Sequence, residues 1–456
     1  GGGGSELEAL LTHASFYLAQ VHGYLGDAAG SARYCAFTLR RQRQAGGGTG
    51  GGGVGASYEP AEWAKNAGFL ADYHLGRNAF GKAARCLGAA MVVVEGRRAA
   101  LTAAGLELLV EREAEVRRRF GRLYVMVMQV KHEEYMLRQQ GPEGEAAAEA
   151  LCATAATSDE IDAAVGDSAD ILGDSDSGGG DSSGSGGGGN GAAATAGAGS
   201  AGMVVAAPPL CDPAAIPLEF EAMRELFKLA VRHLEAAARH FVLDGYVTDY
   251  VRISQDVSRA YKHLAAFEVD DKRRQAMLCR RASALAPLLA QLGTQAYGDL
   301  HKELSFELGE VYAEMAELKL ARIEAKEEEA ALSKLNELLA KAVGHFEHFS
   351  GLFEGVGAHK LDPTMVGPYL RSHFHAARLS GKMPATGGAA VTGSAATLAA
   401  LQRSLRGFSW IADNAARVLA ESSAAPGEFA VELDLARQMA ELLPTKIERF
   451  RRGEIG

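Results

Sequence analysis

The stretch Leu70–Ala90, LADYHLGRNAFGKAARCLGAA, decides the fold. Ala71, Ala83 and Ala90 are small residues where the two helices of a 34-residue tetratricopeptide unit would cross, and GRN between them reads as a tight turn. An earlier stretch, Leu18–Leu39, LAQVHGYLGDAAGSARYCAFTL, puts Ala19, Ser31 and Thr38 at the same positions around the turn GDAAG. Ser31 and Ala83 are 52 residues apart. The excess over one repeat is mostly the glycine-rich insertion at 45–57, AGGGTGGGGVGAS, which lacks the Lys and the preceding strand of a phosphate-binding loop.

The same periodicity extends outward in both directions. On the amino side Leu7, Leu10, Leu11, Ala14, Leu18 and Val21 recur at steps of three and four, the apolar stripe of a helix. Pro60 suits the start of the helix that ends near Gly76. Leu106 to Gln140, interrupted only by Gly121, predicts one long helix. The tract 141–207 holds 11 Asp and Glu and no Lys or Arg, and its Gly, Ala and Ser content predicts disorder. Helices then follow at about 218–243, 247–268, 270–291, 296–329, 331–354, 363–381, 396–421 and 427–451, with a glycine and alanine loop at 384–395. The expected organisation is N-terminal tetratricopeptide-like hairpins at 6–105, a linking helix at 106–140, a disordered acidic insertion at 141–207 and a C-terminal helical-repeat subdomain at 208–456. No alternating strand pattern of useful length occurs, so the fold is all-α, a run of antiparallel helix pairs that bury their apolar faces against one another.

Composition narrows the function. The net charge of −10 comes from the acidic tract; outside it 46 acidic residues face 47 basic ones, which gives no basis for binding nucleic acid through bulk charge. No apolar run reaches the ~20 residues of a membrane span. Five scattered cysteines without a CxxC pair fit a reducing cytoplasm. The chain begins GGGGSELEALL without Met, which suggests an incomplete amino end.

Catalytic and metal patterns are incomplete. No His follows Glu by three residues, the spacing of helical di-iron sites. KHEEYM has Met136 where a zincin has its second His. His345 with His348, and His233 with His240, share helix faces, yet a pair falls short of the three or four ligands that zinc needs. No GxSxG stands on the strand-to-helix turn of a nucleophile elbow, and the cysteines in YCAFTL and ARCLGAA read as small buried hydrophobes. The corner HFVLDGYVTDYVRISQDVSRAY at 240–261 gathers Asp244, Asp249 and Asp256 near Gly245, but counting from Asp244 the third, fifth and twelfth positions are Tyr246, Thr248 and Gln255, and a calcium loop needs a Glu at the twelfth. It reads instead as a turn, with Gly245 at positive φ and Thr248 or Asp249 capping the next helix. No enzyme activity, metal or cofactor is expected.

DGYVTDYVRISQDVS at 244–258 and VELDLARQMAELLPTKIERFR at 431–451 resemble the kinesin-binding protein family. THASFYLAQVHGYLGDAAGSARYCAFTLRRQ, FEVDDKRRQAMLCRRASALAPL and FELGEVYAEMAELKLA add to the likeness, in the family's order. The resemblance implies a right-handed α-solenoid of two subdomains joined by the long helix, holding a kinesin motor domain in its concave face and keeping it off microtubules. It also implies a cytoplasmic, cytoskeleton-associated protein whose contact with microtubules is indirect. Family members carry further helical repeats upstream. In the tetratricopeptide register His13, Gln20 and Tyr24 of the first hairpin and Lys65 and Asp72 of the second would look into the groove, with Tyr73, His74 and Arg77 at or near its edge. The alternative is a tetratricopeptide co-chaperone or general interaction scaffold, whose carboxylate clamp needs Lys and Asn where Phe16 and Gln20 stand.

Overall fold

The computed structural model describes residues 2–46, 59–97, 103–156, 210–326, 332–383, 391–422 and 429–453. Among the described residues every regular element is helical. The glycine run at 47–58, the tract from 157 to 209 and the first part of the loop expected at 384–395 lie outside them.

The chain forms two compact units, Gly1–Asp256 and Val257–Gly456. The first contains α1 (Gly2–Tyr24), α2 (Ala28–Gly46), α3 (Pro60–Leu75), α4 (Phe80–Arg97), α5 (Ala103–Arg138), α6 (Pro142–Ala156) and α7 (Phe220–Ala238), and ends within α8 (Val247–Ala265). Local chemistry explains the breaks. Asp27 caps α2, accepting from the Gly30 N–H at 2.8 Å, and Gly26 before it has a φ of 77°. Pro60 occupies the first turn of α3, and Glu59 caps it by accepting from the Glu62 N–H at 3.2 Å. The GRN turn closes with Asn78 at a φ of 56°, a left-handed conformation that Asn tolerates. Trp63, 1% exposed, donates its indole N–H to the Leu39 carbonyl at 3.1 Å and so ties α3 to α2.

Helix α5 has 36 residues, about 54 Å at 1.5 Å per residue. The sequence reading makes it a linker, but it packs against α3, α4, α6 and α7 inside the first unit. Two glycine contacts explain how closely. A Cβ on Gly68 would stand 3.1 Å from the Arg119 guanidinium carbon, and one on Gly121 would stand 2.4 Å from Leu234 Cγ. The unit boundary accordingly falls after Asp256, whereas the sequence places the C-terminal subdomain from 208.

Two other expectations are corrected here. Residues 142–156, the start of the tract expected to be disordered, form α6: Ala148 is fully buried, and α6 packs on α5. Alanine carries high helix propensity, and Glu143 and Glu145 favour the helix N-terminus. On α1, the apolar stripe is exposed, Leu7 by 58% and Leu10 by 65%; α1 instead buries Ser15 and turns Phe16 and Ala19 partly inward.

The second unit continues with α9 (Asp271–Gln291), α10 (Gly298–Lys326), α11 (Leu332–Gly351), α12 (Pro363–Ser380), α13 (Val391–Glu421) and α14 (Ala430–Arg451). Each packs on the next. Val391 to 395 belong to α13, so the loop expected there ends sooner. Phe349, Phe374, Phe408 and Phe429 anchor the core of α11 to α14. Gly309 admits the Phe346 ring and Gly407 admits Ala377, so small residues again mark the helix crossings. Arg281, 2% exposed, reaches the Ser258 hydroxyl at 3.2 Å, Glu307 at 3.7 Å and Glu314 at 3.6 Å, which pairs a charge that burial alone would make costly.

Candidate functional site

Helices α1, α2 and α3 enclose a cavity of about 480 Å³. Phe16 and Gln20 reach it from α1, Ser31 and Cys35 from α2, and Lys65, Asn66, Phe69 and Tyr73 from α3. Their spacing explains the convergence. Steps of four on α1 and of three or four on α3 bring each set to one helix face, while Gly23 and Gly26 keep the rim low. Phe69 is 52% exposed, so the cavity has an apolar wall open to a partner.

Charge around the cavity is largely paired. Lys65 lies 3.7 Å from Glu62, and both are substantially exposed. Asp72 accepts from Arg119 Nε at 2.9 Å, and Arg119 also lies 3.7 Å from Glu115. The Arg119 guanidinium stands 5.5 Å from the Phe69 ring centroid, and that of Arg77 stands 5.2 Å from the Tyr73 ring. The Cys35 thiol is 3.5 Å from the Asn66 carbonyl, and burial pushes it up to about 12, which leaves it a protonated wall group rather than a nucleophile.

Of the residues singled out from sequence, Gln20, Lys65 and Tyr73 line this cavity. Asp72 and Arg77 stand beside it in the contacts just described. His13 is exposed on α1 without lining the cavity, and Tyr24, 90% exposed, ends the same helix. His74 is a correction: it is 1% exposed, its ring edge-on to Tyr73, because it falls on the face of α3 that packs into the unit. Phe69 and Asn66 were missed. Continuing the Lys65 stripe by one turn reaches Phe69, and two turns reach Tyr73.

His233, His345 and His348 pack against neighbouring rings. His233 stacks on Phe120 at 4.9 Å, His345 on Tyr312 at 5.4 Å, and His301 Nδ1 faces His348 Nε2 at 3.4 Å. Among the described residues no group of three or more His, Cys, Asp or Glu is placed to hold a metal ion. None of the described helices is long and apolar enough to cross a membrane. In the aspartate-rich corner Gly245 has a φ of 106°, as expected. Helix α8, however, starts at Val247, so Thr248 and Asp249 lie within its first turn instead of capping it. Asp249 accepts from Arg118 at 2.8 Å and so fixes the corner to α5.

The sequence profile of the family described as KIF-1 binding protein C terminal matches residues 61–450. The chain is 29% identical over 459 residues to the KIF-binding protein of Gallus gallus, covering 97% of this chain and 69% of the relative. With that of Homo sapiens it shares 29% over 469 residues, covering 97% and 66%. The relative from Drosophila melanogaster is 23% identical over 351 residues, 76% of this chain and 52% of its own. The chain thus spans about two thirds of the length of the two vertebrate relatives. A profile match over most of the chain, on an all-helical fold whose repeats carry the matched segments, places this chain in the kinesin-binding protein family.

Proposed function

We propose that this chain binds kinesin motor domains through the cavity between α1, α2 and α3 and thereby keeps them from microtubules. Family membership carries the reading, since the relatives are named for binding KIF proteins. Two features of the fold support the location. The cavity offers an open aromatic wall at Phe69 and Tyr73 with polar groups at its rim, the composition of a protein-binding surface. Beside it, Leu7, Leu10, Tyr17 and Tyr24 of α1 are all exposed, a row of apolar and aromatic side chains turned to solvent. A motor's microtubule face is basic because its track is acidic. Occupying or distorting that face is a steric task, so the action proposed is non-enzymatic, cytoplasmic and needs no cofactor.

Microtubule co-sedimentation tests it. A kinesin motor domain locked on microtubules should move to the supernatant as the protein is added. Lys65→Glu combined with Tyr73→Ala should weaken that release by about tenfold, the scale of one interface anchor. Arg224→Glu, on an exposed face of α7, should not. Motors that sediment unchanged overturn the function; release that ignores the double variant overturns the site and leaves the function standing. His74 is left intact, since replacing a buried ring would perturb α3 itself.

A further inference from the structure

A second cleft lies in the first unit, away from the helices that form the cavity just described. Helices α5 and α7 run antiparallel and pack closely where Gly121 meets Ala230 and Leu234. Toward the start of α5 and the end of α7 a cavity of about 490 Å³ lies between them. Glu113 and Arg117 line it from α5, one turn apart; Arg232, Ala236, Arg239 and His240 line it from α7 and the turn after it. Steps of three and four put each set on the face turned to the other helix.

The charges do not balance. Arg117 donates to Glu113 at 2.7 Å, which neutralises that pair. Arg232 and Arg239 have no carboxylate partner among the described residues, so two guanidinium charges remain. His240 Nε2 is buried with no hydrogen-bond partner among the described residues. Neighbouring His233 records the field: burial first, then Arg117 and Arg232, push it down to about 4. One local feature opposes an anion, the partial negative charge of the α7 C-terminus, and Arg239 stands at that end to offset it. A phosphomonoester carries a charge of about −1.5 to −2 at neutral pH and three acceptor oxygens, which suits two free guanidinium forks and an orphan imidazole nitrogen. A single carboxylate would leave one fork unmatched.

We propose that this cleft binds a phosphomonoester dianion, borne on a phosphorylated peptide side chain or free in solution. Calorimetric titration of the full chain in chloride buffer at fixed ionic strength tests it, with three probes: the peptide Gly-Ser-phosphoSer-Gly-Ser, its unphosphorylated twin and inorganic phosphate. The phosphopeptide should bind saturably and the twin should not. Arg232→Gln and Arg239→Gln should each weaken binding by about tenfold, the loss of one charge-assisted fork. Arg224→Gln, elsewhere on α7 and paired with Glu221, should not change it. A phosphopeptide that binds much more tightly than inorganic phosphate identifies a peptide-borne ligand; equal affinities identify a site for the free ion. Absence of saturable binding by either, or binding indifferent to both arginine variants, overturns the proposal. Both arginines are exposed, so their variants should keep the fold, which circular dichroism checks.

Discussion

A methyl group added at Gly121 should cost more stability with Leu234 in place than with Leu234 cut back to Ala. A Cβ on Gly121 would fall 2.4 Å from Leu234 Cγ and 2.6 Å from its Cδ2, and Leu234 is fully buried with no room to swing aside. Gly121→Ala therefore gains about 1 kcal/mol of helix propensity. It loses about 1 to 3 kcal/mol to overpacking. The parent chain should be destabilised, by up to about 2 kcal/mol on those two figures. Leu234→Ala alone should cost about 2 to 5 kcal/mol, because it empties a filled site. Once Leu234 is cut back, the nearest remaining atom is the Ala230 carbonyl oxygen at 3.3 Å, a tight contact but no longer a clash, so Gly121→Ala should there cost less than in the parent, by about 1 kcal/mol or more. Urea unfolding of all four members of the cycle, followed by far-ultraviolet circular dichroism, measures the coupling. A Gly121→Ala effect of the same sign and size in both backgrounds would refute the claim that this glycine exists to let α5 and α7 touch.

In the second unit, burial pushes His345, His373 and His375 down to about 4 from an ordinary 6.5. Their unfolded forms take up protons first, so the stability they contribute is complete above pH 6.5 and is lost as pH falls toward 4. Unfolding midpoints across that window should fall, and His373→Gln with His375→Gln should flatten the slope; an unchanged slope counts against burial as the cause. Thiol labelling of the native chain should be fastest at Cys279, a phase abolished by Cys279→Ser, because Cys279 is exposed while burial pushes Cys35, Cys86 and Cys211 up to about 12 and raises half-buried Cys152, which also faces the Glu134 carboxylate. Rapid labelling of Cys35, Cys86 or Cys211 would contradict their packing.

The helices themselves were legible because each is a local pattern. Caps at Asp27 and Pro60 at the start of α3 set boundaries from neighbouring residues alone, and the GRN turn needs only an Asn that accepts positive φ. What escaped depends on distant partners. The Leu7 to Val21 stripe shows an amphipathic helix but not which face its neighbour covers, and α2 meets the other side. Asp249 looks like a cap until Arg118, 131 residues earlier in the chain, is placed 2.8 Å away. His74 sits one residue from Tyr73, and a one-position rotation about α3 separates a groove wall from a buried ring. Residues 142–156 fold because α5 offers them a surface, which composition cannot report. The five cysteines look alike in sequence, yet Cys279 alone is on the exposed side of its helix.

The two tryptophans of this chain fall one in each compact unit, and their surroundings make them optically different. Trp63 is sealed in apolar packing with its indole N–H bound to a carbonyl, so it should emit in the blue and shift red only when α2 and α3 come apart. Trp410 stacks on His373 with ring centroids 3.9 Å apart. Imidazolium is an efficient quencher of indole emission, and neutral imidazole is a weak one. Trp410 should therefore stay bright through neutral pH and dim as His373 takes up its proton, near its value of about 4. Emission from Trp63→Phe and Trp410→Phe variants would then follow the melting of each half of the molecule separately, without any attached dye.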